Sequence, residues 1–274
     1  MIDQIVVIYA IVDDLLKAIS HSEDIRRTMS DAEVISCCLT ASAFFGGNQV
    51  LACQYLKEHG LIPNMLSKSR FNRRLHSVSE LIYDLQQQIG MIFKNLNDSM
   101  EYLMDSFPVT VCDNIRIGRC RLVNSEDYRG YIASKKRYFY GVRIHLLSTK
   151  EGIPVEWAFI PGSSHDVRGL NLLPLNLPPG SEIYGDKAFN DYIIEDQLAE
   201  LEKISLKIIR KNKSKRKDNP WVHYIKQTTR HFIETVFSRI TRKFPKNIHA
   251  VTFQGFLLKV SSFIFAYTLE SSFL

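Results

Sequence analysis

Residues 183–191 read IYGDKAFND, and the reading of the second half of the chain turns on them. Ile183 and Tyr184 favour a strand and Gly185 loosens the backbone. The DYIIEDQLAELEK that runs on from Asp191 has helical spacing, with an Asx-type start at Asn190. Asp186 is thereby placed at the carboxyl end of a strand, where ligands and reacting groups collect in α/β sheets. A turn acid or helix cap is the ordinary alternative for one aspartate in such a loop. What decides between the two is whether other acids reach the same place.

Upstream of this stretch the texture is β-rich. FPVTVC at 107–112, the alternating YFYGVRIHLLST at 138–149 and PVEWAFIP at 154–161 are three strand runs, the last two joined through the KEGI turn. The helical segment HDVRGLNLLPL, the strand SEIYGD and a helix from about Asn190 to Glu202 follow, which is an α/β order. Residues 1–95 read as helices throughout. Ser30 with Glu33 makes a capping-box start and Gly60 a stop. The expected division is a helical domain over 1–97 and an α/β domain over 98–274. Within the helical part SKSRFNRRLH sets Lys68, Arg70, Arg73 and Arg74 around Phe71 at a helix start. This is a DNA-contacting helix or a solvated basic face.

The chain of 274 residues carries a formal net charge of +6. From Lys203 to Lys217 it holds Lys207, Arg210, Lys211, Lys213, Lys215 and Arg216 with no acid between. Such a block is a solvated loop, a localisation-type patch or a phosphate-binding surface, and a basic chain puts nucleic acid on an even footing with other partners. Five cysteines, none in CxxC spacing, argue against a zinc site and for a reducing, cytoplasmic setting. The apolar N-terminal run is broken by Asp3, Asp13 and Asp14 and reads as an amphipathic helix rather than a signal or a membrane span. The C-terminal run from Val251 contains Lys259 and serines and reads as a docking helix. No membrane partner is expected.

Two further carboxylates stand in company like that of Asp186. Asp105 lies in EYLMDSFPVTVC at the first strand, and Glu234 lies in TTRHFIETVFSRITRKF, a helix with an apolar stripe of Ile233, Phe237, Ile240 and Phe244. Three carboxylates from a first strand, a fourth strand and a later helix can converge to hold two divalent ions roughly 3.5–4 Å apart. Magnesium or manganese is the expected pair, since hard cations take oxygen ligands.

YLMDSFPVTVC, PGSSHDVRGL, IYGDKAFND and RHFIETVFSRITRKFPKNIHA together resemble the blocks of DDE-type insertion-sequence transposases, most closely the bacterial family numbered nine-eighty-two. The resemblance implies an RNase H-like catalytic core, a mixed sheet flanked by helices, with Asp105, Asp186 and Glu234 on the DDE positions. It implies DNA strand cleavage and transfer at the ends of the element. The partners would be double-stranded terminal inverted repeats and target DNA, bound by a homodimer. Related transposases carry Y-x2-R-x3-E-x6-K around the glutamate. Here Arg230 falls on the arginine, while Gln227 replaces the tyrosine and Thr241 the lysine, with Arg242 and Lys243 adjacent as phosphate contacts.

Each supporting residue has an ordinary alternative. Arg230 is one turn from Glu234 and suits a surface ion pair. His165 and Asp166 in GSSHDVRGL orient the site, or Asp166 is a helix cap, the reading favoured here. Lys187 contacts DNA or extends into solvent, and Asp113 and Asp127 lie outside the family block. Trp157 is expected in the core and Trp221 as a base-stacking candidate. An RNase H-like nuclease without strand transfer and a DNA-binding protein that has lost catalysis are the competing readings.

Overall fold

A serine, a glutamate three residues on and an apolar run behind them start a helix at Asp31. Ser30 Oγ accepts from the Glu33 N–H at 3.1 Å and Glu33 Oε2 accepts from the Ser30 N–H at 2.7 Å, so the box expected from sequence is formed. This helix, α2 (Asp31–Phe44), follows α1 (Ile2–Ala18) and precedes α3 (Gln49–Glu58), α4 (Lys68–Ser77) and α5 (Ser79–Asn95). Gly60, at φ +67°, stands just past the end of α3, where a left-handed residue closes a helix. The computed structural model describes the chain apart from residues 124, 133–134 and 211–213, and apart from the side chains of Asn114 and Arg116.

The chain divides into two compact units, Met1–Ile89 with Arg242–Leu274, and Gly90–Thr241. In the helical unit α2 is buried almost all round, and α9 (Phe253–Phe273) packs on it, with Cys38 Sγ 3.1 Å from Ser262 Oγ. The docking helix expected at the C-terminus is therefore present. Its contacts place it with the N-terminal helices, whereas the sequence grouped residues 98–274 together. The cause is that α9 is itself apolar on nearly every side and is enclosed by other helices. No single described helix is long and apolar enough to cross a membrane.

The second unit holds a six-stranded mixed sheet: β1 (Glu101–Asp113), β2 (Arg129–Ile132), β3 (Arg137–Thr149), β4 (Pro154–Pro161), β5 (Glu182–Gly185) and β6 (Ser205–Ile208). β1 is central. It pairs antiparallel with β3 and parallel with β5, which pairs parallel with β6; β2 and β4 share the outer edge of β3. Alternation along β1 turns Tyr102 and Met104 to one face, where they pack with Leu170 and Leu173. The other face carries Phe107 against Phe237 of α8 (Pro220–Arg242), ring centroids 6.4 Å apart. Helices thus flank both faces: α6 (Asp166–Leu170) on the first and α8 on the second. This is the mixed sheet with preceding helices expected of an RNase H-like core.

Two strands were not read from the sequence. β2 and β6 are four residues each, and β6 lies inside the basic stretch taken as a connection. SLKI becomes a strand because β5 offers it a parallel edge, with Ile183 opposite Leu206 and Gly185 opposite Ile208.

Candidate active site

The register of β1 with β5 runs Tyr102 to Ile183, Leu103 to Tyr184 and Met104 to Gly185. The pairing ends there; continued one step it would set Asp105 beside Asp186 on parallel neighbours about 4.8 Å apart, and the charge of Asp186 does act on Asp105. Asp186 keeps an extended backbone at φ −75°, ψ 163°, so its side chain continues the alternation and leaves on the same face as that of Asp105. That face is covered by α8, on which Glu234 precedes the Phe107-packed Phe237 by one turn. Glu234 itself is exposed, and its Oε1 lies 3.3 Å from Arg230 Nε, the ion pair that helical spacing alone suggests.

Asp186 also does what the ordinary reading of a turn acid demands. Its Oδ1 accepts from the Lys187 N–H at 2.7 Å and so caps a short 3-10 turn, Lys187–Phe189. Its Oδ2 has no hydrogen-bond partner among the described residues.

Asp105 is the most perturbed carboxyl of this group. Burial pushes its pKa up from 3.8 to about 7, the charges of Asp186, Asp166 and Glu234 push the same way, and a Ser106 N–H donated to Oδ1 at 2.7 Å opposes them. Since the folded value is the higher one, the unfolded chain releases this proton first as pH rises. The contribution of Asp105 to stability is therefore full below about pH 4 and is lost as pH rises through about 7. Asp105→Asn should flatten the metal-free protein's stability across that window relative to the parent, measured as midpoints of thermal unfolding in chelator. Parallel profiles for parent and variant would show that neither burial nor the neighbouring charges perturb this carboxyl in the folded protein.

Among the described residues no group of three or more His, Cys, Asp or Glu side chains is disposed to hold a metal ion as it stands. The donor set nonetheless suits a hard divalent cation: carboxylates crowd Asp105, and their repulsion is what a cation would relieve. Glu234 would have to leave Arg230 to join them.

Three residues near Asp105 were missed or misassigned in the sequence. The N-cap of α6 is His165, without a side-chain cap bond, and Asp166 is the first helical residue; its Oδ1 accepts from Ser106 Oγ at 2.6 Å, with Arg143 Nη1 and His145 Nε2 each 3.6 Å away. Arg143 and His145 recur two apart within the apolar middle of β3, a pattern that marks one polar spot on a buried face. Asp113 stays at the exposed end of β1 near Arg137, and Asp127 in a turn with Ser125. Trp157 is buried in the core, while Trp221 is 69% exposed and stacks on Tyr224.

The basic residues are less available than their sequence suggests. Lys207 faces Glu182 at 3.3 Å, Arg210 binds Glu195 through two bonds of 2.7 and 2.6 Å, and Arg216 binds Asp196 through two of 2.7 Å. Lys211 and Lys213 lie outside the described residues, and Lys187 and Lys215 are exposed without an ion pair among the described residues. Arg242 and Lys243 belong to the helical unit, where Lys243 pairs with Glu270. Arg74 donates to Asp31 Oδ1 at 2.6 Å and to the Met29 carbonyl at 3.1 Å, which makes it a brace between α4 and α2. Arg70 and Arg73 are exposed and line an open cavity of about 540 Å³ together with Arg26, Arg27 and Arg74.

No curated protein and no solved structure matches the chain. A family model described as transposase DDE domain matches residues 94–250, which spans the whole sheet, Asp105, Asp186 and Glu234, and more than half of the sequence. On that match the chain belongs to the DDE-domain transposases.

Proposed function

We propose that this transposase cleaves DNA at the ends of its own insertion sequence and joins them to target DNA, with Asp105, Asp186 and Glu234 as the reacting-site acids. The observation that supports this most is the register of β1 with β5, whose last pair, Met104 with Gly185, comes just before Asp105 and Asp186, together with the effect of the Asp186 charge on Asp105. The three carboxylates would hold two magnesium or manganese ions, which when bound activate the attacking oxygen and stabilise the leaving one in an in-line phosphoryl displacement. Asp105 must give up its proton to serve as a ligand, and relief of its repulsion with Asp186 favours that loss. Glu234 must turn from Arg230, and the guanidinium it releases is then free to pair with a DNA phosphate. Lys187, beside Asp186 and exposed, would supply a second phosphate contact.

Duplex DNA would be held by Lys187, Arg230, Lys211, Lys213 and Lys215, and in the helical unit by Arg70, Arg73 and Arg242. The protein would act as a homodimer on the paired ends. Each phosphate contact removed should flatten the salt dependence of binding by about one unit of slope. Arg70→Gln with Arg73→Gln should therefore weaken binding to every duplex and lower the slope by about two. An unchanged slope would leave these arginines as a solvated face. The proposed reaction is tested by incubating the purified chain with the terminal repeats and a target duplex in manganese. Joined products support transposition, cleavage without joining points to a nuclease, and binding alone to a protein that has lost catalysis.

A further inference from the structure

We propose that Asp166 and Ser106, seated on the buried imidazole of His145, form a positioning layer beneath Asp105 and Asp186 on the opposite face of the sheet. The inference rests on the reading of those two acids as the reacting site.

Alternation on β1 sends Asp105 toward α8 and Ser106 toward α6. The Ser106 hydroxyl donates to Asp166 Oδ1 at 2.6 Å, and its backbone N–H donates to Asp105 Oδ1 at 2.7 Å. One residue therefore ties the Asp105 carboxylate on one face to the first residue of α6 on the other. Arg143 Nη1, 3.4 Å from Ser106 Oγ and 3.6 Å from Asp166 Oδ1, closes the group with a compensating charge.

His145 sits directly opposite Ser106 in the β1–β3 register and is fully buried, with both ring nitrogens lacking a hydrogen bond. A buried polar group left so is costly and calls for an explanation beyond packing, which an apolar side chain would serve better. Its Nε2 lies 3.6 Å from Asp166 Oδ1, so a shift of a few tenths of an ångström completes a bond. The ring is gripped from two sides. A Cβ at Gly169 of α6 would fall 2.2 Å from it, so only glycine lets the helix lie this close. Phe189 meets it edge-on at 5.6 Å, and Phe189 ends the short turn that Asp186 caps. The imidazole thus touches both the helix that restrains Asp105 and the turn that carries Asp186.

Residues that orient ligating carboxylates typically cost 10–100-fold in metal affinity or activity when removed. The test is manganese affinity of the DNA-free protein by calorimetry, with turnover on terminal-repeat DNA, DNA affinity and thermal unfolding alongside. Ser106→Ala and Asp166→Asn should each weaken manganese binding and turnover by roughly 10–100-fold while leaving DNA affinity unchanged, and Ser106→Thr, which keeps the hydroxyl, should restore both. Ser106→Ala carries the test alone if Asp166→Asn does not fold. Parent-like manganese affinity and turnover in Ser106→Ala would overturn the positioning role. A parent protein that neither binds manganese nor cleaves would overturn the reading of the acids themselves, and the positioning role with it.

Discussion

Asp186→Asn is expected to abolish DNA cleavage while leaving folding and DNA binding intact. Asparagine keeps the shape and the Oδ1 that accepts from the Lys187 N–H at 2.7 Å, so the short turn stays capped. What it removes is one negative charge beside Asp105. Loss of a ligand to a catalytic ion removes several kcal/mol of transition-state stabilisation, a fall in rate of roughly a thousandfold or more. Folding should hold or improve, because the charge of Asp186 raises the pKa of Asp105 and its removal relieves that repulsion. DNA affinity rests on basic residues elsewhere and should not move. Calcium should support binding with little cleavage, since its looser coordination fits an in-line two-metal geometry poorly. The same variant is to be followed by thermal unfolding, DNA affinity and strand cleavage. Cleavage at the parent rate would remove Asp186 from the site, and loss of folding would make it a structural turn residue only.

Glu156→Ala is expected to cost about 3–5 kcal/mol of stability, more than any substitution at Asp105, Asp186 or Glu234. Glu156 on β4 and Lys94 at the end of α5 are ion-paired and almost wholly buried. Glu156 also accepts from the backbone N–H groups of Leu175 at 2.9 Å and Asn176 at 3.2 Å, and Leu175 holds a left-handed φ of +49°. Truncation leaves an ammonium buried without its partner, two N–H groups without an acceptor and a strained turn without its restraint. The thermal midpoint should fall on the order of 10 °C. Lys94→Met combined with Glu156→Gln removes both charges yet keeps an acceptor for the turn, and should recover much of the loss. A loss below about 1 kcal/mol in Glu156→Ala would show that water reaches the pair.

The reason the local elements were readable and the site was not lies in the range of the interactions. The Ser30–Glu33 box, the stop at Gly60 and the strands 138–149 and 154–161 depend on neighbours a few residues away, and their limits in the structure match the sequence signals closely. IYGDKAFND likewise contains its own strand, turn and acid, so the placement of Asp186 at a strand end followed from residues in hand. β6 did not, since four residues become a strand only when β5 presents a parallel edge. Asp166 suited a cap because its partner, Ser106, comes from a strand 60 residues away in the chain. The charge block from Lys203 to Lys217 contains no acid, yet in space Glu182, Glu195 and Asp196 neutralise Lys207, Arg210 and Arg216. The sequence by itself determined the elements, the excess of positive charge and the candidate acids. Only the tertiary structure decided which acid stands beside which, which basic residues remain free for phosphate and with which helices the C-terminus packs, because pairing between distant residues is set by sheet register and burial.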